Sequence, residues 1–159
     1  MTIEEFTKIA DQMKSGTVSK RLIFICSNSI SQLEKIITNI EILQHDLVNI
    51  KSTEISEIIN PQHYLEANLK NACKEYEGKR NEPSVLIIKN AILLVRYGCD
   101  MSAIHRYGIS PRSAVILMMP KDVHRYMPPK TDGWIKKNTK ELIKLMAKQL
   151  GIPNCIIDA

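Results

Sequence analysis

The run Arg21-Leu22-Ile23-Phe24-Ile25-Cys26 leads into a short polar turn, Ser27 to Ile30, and then into Ser31-Gln32-Leu33-Glu34. An apolar run, a turn and a helix in that order make the setting in which α/β proteins hold phosphate groups. A working phosphate loop reads G-x-x-x-x-G-K-[ST]. Its glycines let backbone N–H groups wrap the phosphates, its lysine reaches the outer ones, and its hydroxyl binds magnesium. The stretch from Cys26 to Leu33 has neither glycine nor lysine. Ser27, Asn28, Ser29 and Ser31 are the residues left to meet an anion there, aided by the positive end of the following helix. Helix capping accounts for the same residue types without a ligand, because Ser31-Gln32-Leu33-Glu34 has the form of a capping box.

The other reactive side chains form no motif. Glu54 and Glu57, and Glu4 and Glu5 with Lys8, have the spacing of solvated helix faces. Asp100 has no Glu-x-Lys beside it, so a restriction-type nuclease site is not supported. His45, His63, His105 and His124 are scattered, and no serine or cysteine sits in a nucleophile elbow. Cys26, Cys73, Cys99 and Cys155 are widely spaced in apolar stretches, with no C-x-x-C. They read as buried reduced thiols, and no metal site or cofactor is expected.

The cations are unevenly placed. Residues 1–80 carry 10 Lys and Arg against 11 Asp and Glu, a net charge of −1; residues 81–159 carry 12 against 6, a net charge of +6. The excess gathers at Arg106, Arg112, Lys121, Arg125, Lys130, Lys136 and Lys137, with Lys140, Lys144 and Lys148 following. His105, His124, Tyr107, Tyr126 and Trp134 are interleaved with them. Such a cluster suits a phosphate backbone whose bases stack on the rings, or an acidic protein surface. The last lysines also have the spacing of an ordinary solvated helix face.

The elements that must position these residues alternate. Ile3, Phe6, Ile9, Ala10 and Met13 mark an amphipathic helix that ends near Ser15-Gly16. The run Arg21–Cys26 is a buried strand, and Leu33, Ile36, Ile37 and Ile40 lay an apolar stripe on a second helix. Leu47-Val48-Asn49-Ile50 reads as the second strand, and Thr53 to Ile59 as a helical turn. Asn60-Pro61 opens a helix to about Gly78, with Tyr64, Leu65, Leu69, Ala72, Cys73 and Tyr76 facing inward. Val85 to Ile88 and Ala114 to Met119 are the third and fourth strands, with a partly helical stretch from Ala91 to Gly108 between them. Ile135, Leu142, Ile143, Met146 and Leu150 make a last helix closed by Gly151, and Ile156-Ile157 a fifth strand. The expectation is a single α/β domain of three layers, with a mostly parallel sheet of about five strands and helices on both faces. A length of 159 residues is enough for a self-sufficient core. No apolar run reaches membrane-spanning length and the N-terminus has no secretory pattern, so a cytoplasmic protein is expected.

The order of Leu22–Ile25, the capped helix, Leu47-Val48-Asn49-Ile50 with Glu54-Ile55-Ser56, and Val85-Leu86-Ile87-Ile88-Lys89-Asn90 with Leu93-Leu94 resembles BrxF. BrxF is the small P-loop protein of BREX phage-defence operons. The resemblance covers roughly residues 3–119 and leaves the C-terminal helix and strand unmatched. It implies a P-loop-like, Rossmann-like fold. It also implies an acidic residue at the end of the third strand to position magnesium; Lys89 and Asn90 stand there instead. With the phosphate loop also missing at Ser27–Ser31, the resemblance implies a pseudo-NTPase.

The expected function is therefore a non-catalytic accessory subunit of an anti-phage defence or DNA-processing complex. It would act by docking onto a larger protein, such as a big ATPase, and not by hydrolysing ATP. A basic module that binds DNA or RNA is the alternative, and a nucleotide sensor or enzyme with a non-standard loop is a third.

Overall fold

In the computed structural model, which describes residues 1–18, 21–27, 31–48, 60–119 and 134–158, the chain opens on α1 (Ile3–Ser15). A reciprocal capping box starts this helix. Thr2 N–H donates to Glu5 Oε2 at 2.7 Å, and the Glu5 amide donates to Thr2 Oγ1 at 3.2 Å. Gly16 ends it in the left-handed region, at φ +72. Phe6, Ala10 and Met13 form the buried stripe.

There follow β1 (Leu22–Cys26), α2 (Ser31–Ile36), β2 (Glu41–Asp46), α3 (Pro61–Lys79), β3 (Ser84–Lys89) and α4 (Ile92–Arg96). After a π-helical turn at Ile104–Gly108 come β4 (Ser113–Met118), α5 (Thr139–Leu150) and β5 (Ile156–Ile157). The five strands are all parallel, in the order β2-β3-β4-β1-β5. In register, Leu22 of β1 sits beside Ala114, and Cys26 beside Met118. Every residue of β1 and β4 is buried, as expected of strands covered on both faces.

Alternation along the strands divides the interior into two cores. Ile23, Ile25, Leu86, Ile88, Val115 and Leu117 pack under α3, α4, the π-turn and α5. Leu22, Phe24, Cys26, Val85, Ile87, Ala114 and Ile116 pack under α1 and α2. The architecture is the expected three-layer α/β fold. Among the described residues, no helix is long and apolar enough to cross a membrane.

Two expectations are corrected. The second strand is Glu41–Asp46, not Leu47-Val48-Asn49-Ile50. As the sheet edge, β2 is only half-buried, so its polar residues Glu41, Gln44, His45 and Asp46 are tolerated. Leu47 and Val48 lie in a turn at its end, both buried, while residues 49–59 lie outside the described set, including the expected turn from Thr53 to Ile59. The second helix stops at Ile36 and does not reach Ile40; Asn39, at φ +64, turns the chain into β2. Ile37 and Ile40 are buried all the same, which is why the apolar stripe read as helix.

At the amino ends of the strands, Tyr76 Oη and Ser84 Oγ share a buried 2.8 Å hydrogen bond. Nearby, the Ser110 amide donates to Ser113 Oγ at 2.6 Å. Gly108 allows the π-turn to lie against β4, because a Cβ there would stand 2.9 Å from Val115 Cγ2. Gly108→Ala should therefore cost about 1–3 kcal/mol by overpacking. Gly78→Ala, within α3 with nothing within 4 Å of its Cβ, should instead stabilise by up to about 1 kcal/mol. Urea unfolding of the two variants should show shifts of opposite sign; a neutral Gly108→Ala would contradict the packing.

Candidate functional site

The carboxyl ends of the strands lie together at one end of the sheet. There α2, which follows β1, packs on one face, and α5, which follows β4, packs on the other. Neighbouring strands whose continuations part in this way leave a crevice, the usual ligand position in this class. Ser27 stands there, one residue beyond β1, and the Met119 amide donates to Cys26 O at 2.8 Å. Helix α2 takes Ser31 as its first residue, one position earlier than the expected capping box places the helix start, while Asn28 and Ser29 lie outside the described residues.

At the end of β3, the position that would hold a magnesium-positioning acid belongs to Lys89 and Asn90. Asn90 adopts φ +57, which asparagine tolerates better than most residues. Its Nδ2 donates to Asp46 Oδ1 at 2.7 Å, and the Val48 amide donates to the same oxygen at 2.9 Å. Asp46 thus fastens the end of β3 to β2 through the first bond and closes the turn after β2 through the second. Among the described residues, no group of three His, Cys, Asp or Glu side chains could hold a metal ion.

Among the described residues, the basic cluster separates into three places. Arg112 stands just before β4, at the amino end of the sheet and away from Ser27. Its Nη2 donates to Lys14 O at 2.8 Å, where the negative end of α1 favours a cation. Arg112, grouped with Arg106 by its place in the sequence, thus lies at the end of the sheet opposite Ser27. Arg106 is exposed on the π-turn beside a groove of about 420 Å3 that also meets Glu66, Lys70 and Asp100. That groove is of mixed charge. Hydrogen bonds from the Ser102 amide and hydroxyl hold the Asp100 carboxyl below its usual range. Lys136 and Lys137 are exposed and lead into α5, where Lys140, Lys144 and Lys148 are exposed at every fourth residue. The three ion pairs among the described residues involve none of these five lysines. Lys121, Arg125 and Lys130 lie outside the described residues, as do His124 and Tyr126.

Arg96 was not singled out by its sequence context. Its Nη1 donates to Ile135 O at 2.9 Å and to Lys137 O, and Arg96 O accepts from the Ile135 amide at 2.8 Å. Its guanidinium lies 4.8 Å from the Trp134 ring centre, and Trp134 meets Tyr97 edge-on at 5.1 Å. The segment that enters α5 is thereby clamped to α4. The nearest sequence signal is Trp134 itself, which lies 38 positions from Arg96 among the cations of the basic cluster. Tyr107 is also engaged, with Lys74 Nζ 5.6 Å and the Arg106 guanidinium 5.9 Å from its ring centre.

The thiols follow burial. Cys26, Cys73 and Cys99 are buried and Cys155 is half-buried. Burial pushes Cys73 and Cys99 up to about 12. A disulfide reagent applied at about pH 8 should modify one thiol per chain quickly, Cys155, and the others only in denaturant. Two or more fast thiols in the folded protein would contradict this packing.

No protein-family model, curated protein or solved structure matches this chain.

Proposed function

We propose that the chain is a non-catalytic, cytoplasmic accessory subunit that docks onto a larger protein of a BREX-like defence or DNA-processing complex. The observation that carries this reading is the state of the aromatic rings in the basic region. Trp134 is packed between Arg96 and Tyr97, and Tyr107 lies under Lys74 and Arg106. Rings held in this way are poor platforms for stacking bases, whereas the lysines of α5 stay exposed. A cationic helix face without free rings among the described residues suits an acidic protein surface.

Residue chemistry at the strand ends supports the non-catalytic part. The turn after β1 has no glycine or lysine, and Asn90 at the end of β3 is committed to Asp46. Calorimetry with Mg-ATP should show no micromolar binding. Affinity of that order, lost on Ser29→Ala and Ser31→Ala, would replace the proposal with an unconventional nucleotide site. The docking part is tested by co-expression with the products of adjacent genes. Stoichiometric co-elution with a large ATPase, lost when Lys140 and Lys144 become glutamate, supports it; co-elution with none refutes it.

One observation favours the nucleic-acid reading: Lys136, Lys137, Lys140, Lys144 and Lys148 together form an exposed run of cations without ion pairs among the described residues. Binding through them alone would be sequence-tolerant and steeply salt-dependent.

A further inference from the structure

Beside Ser27, the first two turns of α5 and the short strand β5 enclose a cleft of about 470 Å3. Its residues include Ser27, Thr139, Lys140, Ile143, Lys144 and Ile156. The volume lies within the range of about 300–1,000 Å3 usual for small-molecule sites. Two features of its wall give the chemistry of an occupant.

Ile143 and Ile156 supply an aliphatic surface and no aromatic ring lines the cleft among the described residues. An aliphatic body fits there by burying apolar area, with nothing to recognise a base. Lys140 and Lys144 are four residues apart on one helix face, a spacing of about 5–6 Å between Cβ atoms. Both ammonium groups can therefore reach one small head group. The hydroxyls of Ser27, at the end of β1, and Thr139, at the start of α5, add hydrogen-bond donors to the lining. Asp158 and Met1 also border the cleft. Two lysines against one aspartate leave the side-chain charge positive, so a head of modest negative charge is favoured.

We propose that this cleft is a binding site for a small organic anion, an aliphatic body carrying a carboxylate or phosphate head. It lies at the carboxyl end of β1, the ligand end of such sheets, and uses lysines from α5 in place of a lysine from the loop after β1. The site does not require the docking reading, although both draw on Lys140 and Lys144; ligand binding is read on the isolated chain, so failure of one leaves the other standing.

The test follows backbone amide resonances of the 15N-labelled chain during addition of octanoate, octyl phosphate, acetate, inorganic phosphate and octylammonium. Octanoate or octyl phosphate should saturably shift Ile143, Lys144 and Ile156 with submillimolar to millimolar affinity; which of the two binds more tightly identifies the head group. Acetate, inorganic phosphate and octylammonium should be at least about tenfold weaker. Lys140→Ala with Lys144→Ala should weaken octanoate or octyl phosphate at least about tenfold, since charge-assisted bonds are lost. Both lysines are exposed, so the variant should fold. Lys148→Ala, farther along the helix and outside the cleft lining, should leave affinity unchanged. Three results would overturn the site: no saturable shift, equal binding of octylammonium, or equal weakening by Lys148→Ala.

Discussion

Replacing Phe24 with alanine should lower the free energy of unfolding by about 3–5 kcal/mol, the range for removing a large side chain from a packed core. Phe24 is 1% exposed on β1, a strand hydrogen-bonded on both sides. It meets Phe6 of α1 edge-on, with ring centres 5.2 Å apart and planes at 88°. That pair holds the N-terminal helix against the sheet, so both the transfer of the ring and the cavity left behind contribute. Denaturation in urea measures the loss. In a double-mutant cycle, Phe6 and Phe24 should show coupling of about 0.5–1.5 kcal/mol beyond their buried area. A loss below about 1 kcal/mol would mean that α1 is not seated on this face. For a domain whose total stability is about 5–15 kcal/mol, the expected loss approaches unfolding.

Reversing Lys140, Lys144 and Lys148 to glutamate should nearly abolish retention on immobilised heparin at moderate salt, while Arg112→Glu should change it little. The three lysines project from one exposed helix face, whereas Arg112 is turned inward to Lys14 O. The salt dependence should flatten as well: each cation withdrawn from a duplex-like polyanion removes about 0.9 from the slope of log affinity against log salt. Arg112→Glu should show its effect in stability, with a loss of about 1–3 kcal/mol. It removes a hydrogen bond to a helix-terminal carbonyl and places a negative charge at the negative end of α1. If Arg112→Glu removes retention and the lysine variant does not, the basic surface has been assigned to the wrong end of the molecule.

Legibility of the fold in the sequence follows burial. The runs at β1, β3 and β4 are apolar because both faces of the central strands are covered, and continuous apolarity bounded by turn residues is easy to see. Helix ends were legible where capping chemistry was local, at Gly16, Asn60-Pro61 and Gly151. The edge strand was not, because Glu41–Asp46 carries the polar residues that an edge permits, while Leu47 and Val48 are buried without belonging to a strand. The basic cluster was visible as composition, but proximity along the chain could not separate Arg112 at one end of the sheet from lysines on α5. The Arg96 clamp joins residues far apart in sequence through carbonyl oxygens, which carry no residue type to read. The cleft beside Ser27 was half legible. The strand end pointed to it, but the lysines that line it come from a helix more than a hundred positions later.

The strand order also constrains synthesis. β1 lies at the interior of the sheet, yet its strand partners β4 and β5 are both made later; Leu22 pairs with Ala114, 92 positions on. At roughly 5–20 residues per second, a nascent chain waits about 5–20 s between emergence of these two strands. Over that interval Leu22–Cys26, five consecutive apolar residues, has no strand to pair with, while β2 and β3 can already join. Ribosome-bound chains that stop before Ser113 should therefore present this segment to a chaperone, and chains extended past Met118 and clear of the exit tunnel should withdraw it.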